Sequence, residues 1–271
     1  MSKQTHLLRS TALAFIANFG CMRSAGAATL FSTDFSGTSL DTGLQQTFTT
    51  TGTYSLGGTA VFNGGRNYVG TVDADYAVAG FSWTATIDVQ HTNFSSNQVF
   101  FGLGTGTTGT NMGANPYGEP QGATAGQAAN YFSMQNVSSG RSMITLSKAA
   151  SQAYFAGQQD FSDAQFNTLL GTTGGVQNGG YYRYFLDYNH ATNELTFSMS
   201  TLSEFGGTAG SKTAFRTVSL AGDGYDSTNG RIFFGGDGNS TFDNFSIVPE
   251  PASSMLGLVG VGLICLRRRR L

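Results

Sequence analysis

Apolar and polar side chains alternate strictly along residues 81–89, which read FSWTATIDV. An alternation of two places the apolar side chains on one face of a β-strand and the polar side chains on the other. The pattern therefore predicts a half-buried strand over these residues, with Phe81 and Trp83 among the side chains that face the core. Because Trp83 shares this face with Ile87 and Val89, we expect it to pack in the core rather than to bind a ligand.

Residues 195–200 repeat this alternation, and the Asn-rich stretch 189–193 before them predicts a hairpin loop back to a strand over 181–188. Gly-rich stretches separate the other runs of apolar and β-branched residues, as is usual between strands. These runs predict six more strands, at 59–62, 98–103, 142–147, 214–220, 231–234 and 242–247.

One stretch has the spacing of a helix instead. Ser162 is a suitable N-cap, and Phe166, Leu169 and Leu170 form an apolar stripe after it, so a short helix that ends at Leu170 is predicted. The Gly- and Thr-rich stretch 104–126 predicts a long surface loop. No repeat of fixed period is present in the sequence, which disfavours a solenoid or a propeller.

The composition favours an all-β fold. The chain of 271 residues contains 38 Gly, and only 11% of its residues are charged, which is typical of strands and turns rather than exposed helices. Without the first 27 and the last 23 residues, about 220 residues remain, enough for one large sandwich with its own core. We therefore expect a single antiparallel β-sandwich.

Charge and cysteine content exclude two further classes of site. Between residues 29 and 248 there are seven Lys and Arg against fifteen Asp and Glu, a net charge of −8. Such an acidic surface repels phosphates, so no nucleic-acid partner is predicted. Cys21 and Cys265 both lie in the terminal segments, which leaves the central part without an internal disulfide or a thiolate metal site.

The first 27 residues have the three parts of a secretory signal peptide. Lys3 and Arg9 give a basic start, and residues 11–22 are mostly apolar. Ala25 and Ala27 supply the small side chains that signal peptidase needs near its cleavage site. We predict an N-terminal signal helix and cleavage after Ala27. The alternative is an amphipathic first helix of the fold.

The other end of the sequence also has three parts. The motif Pro249, Glu250 and Pro251 precedes an apolar run, 252–266, and a cluster of four arginines. At about 1.5 Å per residue a helix over this run is about 22 Å long, shorter than a hydrocarbon core of about 30 Å, so a short transmembrane helix is predicted. The basic cluster should stay in the cytoplasm, which places the preceding domain outside. The arginines are Arg267, Arg268, Arg269 and Arg270.

This order of motif, short apolar helix and basic cluster resembles the PEP-CTERM sorting signal. The resemblance implies that an exosortase-type membrane protease recognises the three motif residues and removes the tail. The protein would then leave the inner membrane for the cell surface or the extracellular matrix. The alternative is a plain membrane anchor that is never cut. The predicted organisation is a signal peptide at 1–27, a β-sandwich domain at 28–248 and a sorting signal at 249–271.

Three segments of the central part together resemble the concanavalin A-like, or laminin-G-like, jelly roll of lectins and glucanases. They are 31–41, which reads FSTDFSGTSLD, 182–199, with paired strands around an Asn-rich turn, and 231–247, which contains RIFFGG and FDNFSI. The resemblance implies an antiparallel jelly-roll β-sandwich. A shared fold does not by itself imply sugar binding.

A glucanase of this fold needs two carboxylates placed across a sugar bond. The usual signature of that family, Glu, Asp and Glu at alternate positions of one strand, is absent, and Glu119, Glu194 and Glu204 are isolated. His91 and His190 lie in turn-like contexts far apart in the sequence, which disfavours a catalytic triad and a zinc site. No catalytic residue is predicted, and the protein is expected not to be an enzyme.

Calcium is the one metal ion that the concanavalin A-like resemblance suggests. In jelly-roll carbohydrate-binding relatives an Asp of the last strand can hold a structural calcium ion with groups near the first strand, and Asp243 and Asp34 match these positions. Aspartate and backbone carbonyl oxygens are ligands that calcium prefers. The alternative is that Asp243 caps a turn or faces solvent.

Sugar binding would need exposed aromatic rings beside polar side chains. Tyr117, in the predicted long loop, and Tyr181, which follows two glycines, are the candidates. Together these features predict a non-catalytic, lectin-like surface or matrix protein that binds extracellular polysaccharide. The alternatives are a purely structural matrix subunit without a ligand, and an extracellular enzyme in which separate carboxylates converge in one cleft.

Overall fold

The structure, a computed structural model, describes residues 29–49, 52–65, 67–73, 76, 80–91, 98–105, 112–114, 120–122, 128–135, 141–148, 159–173, 179–220, 230–237 and 239–250. The predicted signal helix, the predicted transmembrane helix and the basic cluster lie outside these residues. No described helix has the length and apolar character needed to cross a membrane. Residues Thr29–Ala252 form one compact unit.

The described part of this unit contains seventeen strands and one helix. In chain order they are β1 Phe31–Thr33, β2 Leu44–Thr49, β3 Thr53–Leu56, β4 Ala60–Asn63, β5 Asn67–Thr71, β6 Trp83–His91, β7 Gln98–Thr105, β8 Met112–Ala114, β9 Pro120–Gly122, β10 Ala128–Gln135, β11 Arg141–Lys148, β12 Gln159–Asp160, α1 Asp163–Leu170, β13 Tyr181–Asn189, β14 Glu194–Leu202, β15 Thr213–Ser219, β16 Gly230–Asp237 and β17 Ser240–Pro249.

The strands form two large antiparallel sheets. Sheet A has eight strands in the order β15-β14-β13-β6-β17-β4-β3, and β1 also pairs with β17. Sheet B has seven strands in the order β12-β11-β10-β7-β16-β5-β2, and β8 and β9 form a small separate hairpin. Neighbours in a sheet are often distant in sequence, as in β6 beside β17, which is the connectivity of a jelly roll rather than a meander. The predicted antiparallel jelly-roll sandwich is confirmed.

The core of the unit forms from the alternating residues predicted to face inward. On β6, Trp83, Ala85, Ile87 and Val89 are all fully buried, and the Trp83 Nε1–H donates to the carbonyl oxygen of Tyr76 at 2.8 Å. The buried faces of two sheets that pack on each other account for this alternation. The prediction that Trp83 belongs to the core is confirmed.

Phe234 of β16 lies at the centre of an aromatic cluster. Its ring centroid is 5.7 Å from that of Phe35, 6.0 Å from Phe62, 5.3 Å from Phe242 and 5.4 Å from Phe245. Edge-on and tilted ring pairs at these distances stabilise a core beyond the burial of their area. The cluster joins β16 of sheet B to β4 and β17 of sheet A.

A β-bulge in β17 allows two of these rings to point inward. Asp243 pairs with Asp88 and Ser246 pairs with Thr86, so β17 contains one residue more than β6 over this stretch. Asn244 takes up the extra step with a positive φ of 48°, a conformation that Asn adopts more readily than most residues. Without the bulge, Phe242 and Phe245 would lie on opposite faces of the strand.

The helix matches its prediction. Ser162 is the N-cap, and its backbone N–H donates to Gln165 Oε1 at 2.8 Å while its hydroxyl accepts from the Gln165 N–H at 3.4 Å, which forms a capping box. Gly171 ends the helix with a φ of 65°. Phe166 is fully buried against Phe161 and Phe215, with ring centroids 5.7 and 5.3 Å away.

Two of the predictions were wrong in part. Phe81 lies before β6 and is 41% exposed, because the strand begins at Trp83. The stretch 104–126 is not one continuous loop, since β7 extends to Thr105 and the hairpin β8–β9 lies within it. None of the predicted strands covers β1, β2, β3, β5, β8, β9, β10 or β12. All five residues of β5 are buried, so this strand has no alternation to detect.

We predict that Phe234→Ala lowers the free energy of unfolding by about 3–5 kcal/mol, because removal of a fully buried ring leaves a cavity among its neighbours. Denaturant titration of the purified domain measures this change. Phe81→Ala is the matched control and should cost less than about 1 kcal/mol, since its ring is largely exposed. Equal losses of unfolding free energy in the two variants would contradict the placement of Phe234 in the core.

Candidate functional site

The outer face of sheet A, which points away from sheet B, has a group of charged residues at its centre. Asp88 lies on β6 between the inward residues Ile87 and Val89 and therefore points outward. Its partners in the neighbouring strands are Arg183 of β13 and Asp243 of β17. The fold thus brings together three charged residues that are as much as 155 positions apart in the sequence.

Asp88 is fully buried, and its carboxylate accepts four hydrogen bonds. Arg183 donates through Nε to Oδ1 at 2.6 Å and through Nη2 to Oδ2 at 2.9 Å, the two-pronged geometry that makes such pairs strong. The Gly206 N–H donates to Oδ2 at 3.0 Å and Asn244 Nδ2 donates to it at 3.1 Å. Asp88 therefore connects three strands and the loop after β14, and its bond raises the pKa of Arg183.

Asp243 lies beside this ion pair and is only 8% exposed. Burial, together with the negative charges of Asp88 and Asp34, raises its pKa from 3.8 to about 6. The Asn244 backbone N–H donates to this carboxylate at 2.7 Å, which partly opposes the rise in pKa. Asn244 Nδ2 also donates to it, at 3.1 Å. Asp243 therefore keeps its proton to a higher pH than an ordinary aspartate does.

Asp34 lies on the exposed edge of the same site. Its Oδ1 accepts from the Ser36 N–H at 3.0 Å, and hydrogen bonds from Ser36 lower its pKa. Two carboxyl groups whose surroundings shift their pKa values in opposite directions therefore lie within electrostatic reach of each other. The sequence-based pairing of Asp34 with Asp243 placed both residues in one site, whereas Asp88 was missed because it looked like an ordinary outward strand residue.

An open groove of about 660 Å³ lies over this part of the sheet. Its lining combines carboxylates, a guanidinium group, an amide and hydroxyl groups, which are the donors and acceptors that bind sugar hydroxyls. The polar residues that line the groove are Ser32, Thr33, Asp34, Asp41, Thr86, Arg183, Asn244 and Ser246. We call this feature the polar groove.

The polar groove could also hold a cation at its acidic edge. Asp34 and Asp243 suit calcium in charge and in ligand type, whereas the oxygens of Asp88 are already engaged by four donors. Within the described ranges, no three His, Cys, Asp or Glu residues are placed to hold a metal ion. Two carboxylates would leave the remaining four or more ligand positions of calcium to backbone carbonyl oxygens and water.

Of the two aromatic residues predicted to bind sugar, only Tyr181 lies in the described part of the chain. Tyr181 packs edge-on against Phe205, with ring centroids 5.0 Å apart, and it does not line the polar groove. Tyr117 lies outside the described residues. On the outer face of sheet B, Tyr68, Phe100 and Phe233 are fully buried. The predicted roles of Tyr117 and Tyr181 stay predictions.

The two isolated glutamates in the described part of the chain, Glu194 and Glu204, do not line the polar groove. Glu194 accepts from the Thr192 hydroxyl at 2.8 Å at the start of β14, and Glu204 lies in the exposed loop after that strand. His190 is exposed in the turn between β13 and β14, as the sequence suggested. Glu119 and the His91 side chain lie outside the described part of the chain. The described carboxylates that line the groove are aspartates.

The end of β17 carries the beginning of the Pro-Glu-Pro motif. Pro249 is the last residue of the strand and pairs with Trp83, and the Glu250 N–H donates to the Ser82 carbonyl oxygen at 2.8 Å. The Thr84 hydroxyl donates to Glu250 Oε1 at 3.0 Å. Pro251 and the rest of the predicted tail lie outside the described residues, as do Ala25 and Ala27.

Comparisons with known proteins support the predicted sorting motif and the predicted fold. Residues 248–270 match the model of the PEP-CTERM protein-sorting motif, which implies export and exosortase processing. No curated protein matches the chain in sequence.

Several solved structures share the fold of the central part. Lectin II from Ulex europaeus gives a TM-score of 0.52 at 12% identity, over 83% of this chain and 100% of that one. Peanut lectin gives 0.51 at 10% identity, over 82% and 98%. The endo-1,3-β-glucanase from Streptomyces sioyaensis gives 0.51 at 12% identity, over 84% and 98%. At these identities the likeness shows the fold alone.

The chain therefore combines a lectin-like jelly-roll domain with a PEP-CTERM protein-sorting motif at residues 248–270.

Proposed function

We propose that this protein is a non-catalytic, lectin-like protein of the bacterial cell surface or extracellular matrix, which binds extracellular polysaccharide through the polar groove. Signal peptidase would remove residues 1–27, and an exosortase-type protease would recognise Pro249, Glu250 and Pro251 in the inner membrane. The polar lining of the groove supports polysaccharide as the ligand. The sorting motif supports export of the protein to the surface or the matrix.

The groove suits a neutral or hydroxyl-rich ligand for a physical reason. Its lining combines two carboxylates, Asp34 and Asp41, with the guanidinium group of Arg183 and a neutral amide, so it offers both acceptors and donors to hydroxyl groups. The two-pronged bond to Asp88 fixes the guanidinium of Arg183 before any ligand arrives, which lowers the entropy cost of binding. Its openness to solvent suits a chain of sugars more than a small enclosed molecule.

A polysaccharide-cleaving enzyme is the second candidate. One observation favours it: the pKa of Asp243 is raised to about 6 beside Asp34, whose pKa is lowered, the combination that general acids and their partner carboxylates show in glycosidases. Release of reducing ends from a polysaccharide that the domain binds would support this alternative. A purely structural matrix subunit would bind no polysaccharide at all.

Calcium is a further part of the proposal. Asp34 and Asp243 would hold the ion, and its charge would offset the repulsion among the three aspartates of the site. Asp34 directly follows β1, and Asp243 lies in β17, the strand that pairs with β1. The ion would therefore link the segment after β1 to β17. Its role would be structural.

Replacement of Pro249, Glu250 and Pro251 by alanines should leave an uncut product in the membrane fraction, because the protease would lose its recognition motif. Immunoblots of membrane and medium fractions measure this in a host with an exosortase-type protease. Arg216→Ala, a change in β15 away from the motif, is the control and should be processed normally. Normal release of the alanine variant would contradict the sorting proposal.

The purified unit Thr29–Ala252 should bind one class of glycan on an array, and Asp41→Ala should weaken that binding about tenfold, because it removes an exposed carboxylate of the groove. Glu204→Ala, which removes an exposed carboxylate outside the groove, should bind like the wild type. A blank array would favour the structural subunit, and equal binding by both variants would place the ligand elsewhere.

In chelator, the wild-type domain should lose stability as the pH rises from about 4 to about 6. The pKa of Asp243 is raised to about 6 in the folded state, so the folded state binds its proton more tightly than the unfolded chain, where the pKa is near 3.8. The proton on Asp243 therefore stabilises the folded state fully below pH 3.8, the pKa in the unfolded chain, and this stabilisation is lost as the pH rises past the folded-state pKa of about 6. Asp243→Asn should flatten this part of the profile, as measured by melting temperature.

Calcium should reverse that loss. Addition of millimolar calcium at pH 7.5 should raise the melting temperature of the wild-type domain by several degrees and leave Asp243→Asn unchanged. Magnesium is the matched control ion, since it prefers a stricter octahedral site and should act more weakly. A wild-type domain that responds to neither calcium nor chelator would end the calcium proposal.

A further inference from the structure

The sorting motif is continuous with the folded domain rather than separated from it by a linker. Val248 pairs with Thr84 and Pro249 pairs with Trp83 in the ladder between β17 and β6. The Glu250 N–H extends this ladder by one more hydrogen bond, to the Ser82 carbonyl oxygen at 2.8 Å. Two of the three motif residues are therefore engaged by sheet A.

A side-chain contact adds to this engagement. The Thr84 hydroxyl lies 3.0 Å from Glu250 Oε1 and 2.7 Å from Asp187 Oδ1, so its single proton is shared between two carboxylates. Lys212 Nζ lies 2.6 Å from the same Asp187 oxygen and balances its charge. Glu250 therefore lies at the edge of a polar cluster formed by Thr84 of β6, Asp187 of β13 and Lys212, which precedes β15.

The engagement weakens toward the end of the strand. As far as Ile247, β17 is paired on both sides, with β6 and with β1, where the Leu30 N–H donates to the Ile247 carbonyl oxygen at 2.9 Å. Beyond that point the described pairing is with the β6 side alone. Pro249 has no N–H to contribute, so the N–H and the carboxylate of Glu250 provide the last contacts.

We infer that the folded domain binds its own sorting motif, and that the processing protease acts on the population of molecules in which the end of β17 has separated from β6. A membrane protease must surround an extended segment, and strand ends open locally without global unfolding. When opening is fast, the cleavage rate follows the open population. The domain therefore slows its own processing. The inference rests on the proposed processing at this motif.

The test weakens the engagement without changing the motif. Thr84→Val keeps the shape and strand preference of the side chain but removes the hydroxyl that donates to Glu250. In the full chain, pulse–chase labelling should show precursor conversion about threefold faster than in the wild type. Thr217→Val is the matched control, because this outward threonine of β15 bonds to Thr196, and its conversion rate should equal that of the wild type.

A second variant detaches the motif completely. Insertion of Gly-Ser-Gly between Val248 and Pro249 moves the motif off β6 and should speed conversion about tenfold, with the melting temperature of the domain nearly unchanged. Unchanged or slower conversion in both this variant and Thr84→Val would overturn the inference. Failure of the processing proposal has a different signature, since the variant with three alanines at the motif would then be converted as fast as the wild type.

Discussion

The pairing of β17 with its neighbours is the interaction on which the rest of this structure depends. The strand lies between β6 and β4, it also pairs with β1, and it supplies Phe242, Phe245 and Ile247 to the core. Its bulge at Asn244 serves two purposes, because the extra residue keeps both rings inward and turns the Asn244 amide toward Asp88. The aromatic core and the polar groove thus share one backbone irregularity.

The charged centre of the groove follows from the same geometry. The register sets Asp243 directly opposite Asp88, an arrangement of like charges that is unfavourable unless other groups compensate it. Arg183 and Asn244 donate hydrogen bonds to Asp88 and stabilise its charge. The negative charge of Asp88 then contributes to the raised pKa of Asp243. Burial of charged groups on this sheet face costs desolvation free energy that well-packed uncharged residues would not incur. This cost is easiest to understand if the groove has a function.

Sequence patterns predicted several strands and the helix in which one face of the element meets water, although they missed others such as β3. The strands β6, β13 and β14 and the capped helix α1 have alternating or periodic burial, and their predicted bounds were within three residues of the observed ones. β5 has no such contrast, because both of its faces are buried. Asp34 and Asp243 could be paired from a family resemblance. Asp88 could not, since the register and the bulge that make it central depend on contacts across 155 residues.

The position of β17 also connects completion of the fold with sorting. β1 follows the predicted signal peptide directly, yet its partner among the described strands is β17, near the other end of the chain. The first described strand can therefore pair with its partner only when nearly the whole domain is available. That last strand ends in the motif, and its final pairings engage Glu250. Among the described strands, the motif is held by the β6 side of β17 alone, so the ladder that joins these two strands of sheet A also controls access to the sorting signal.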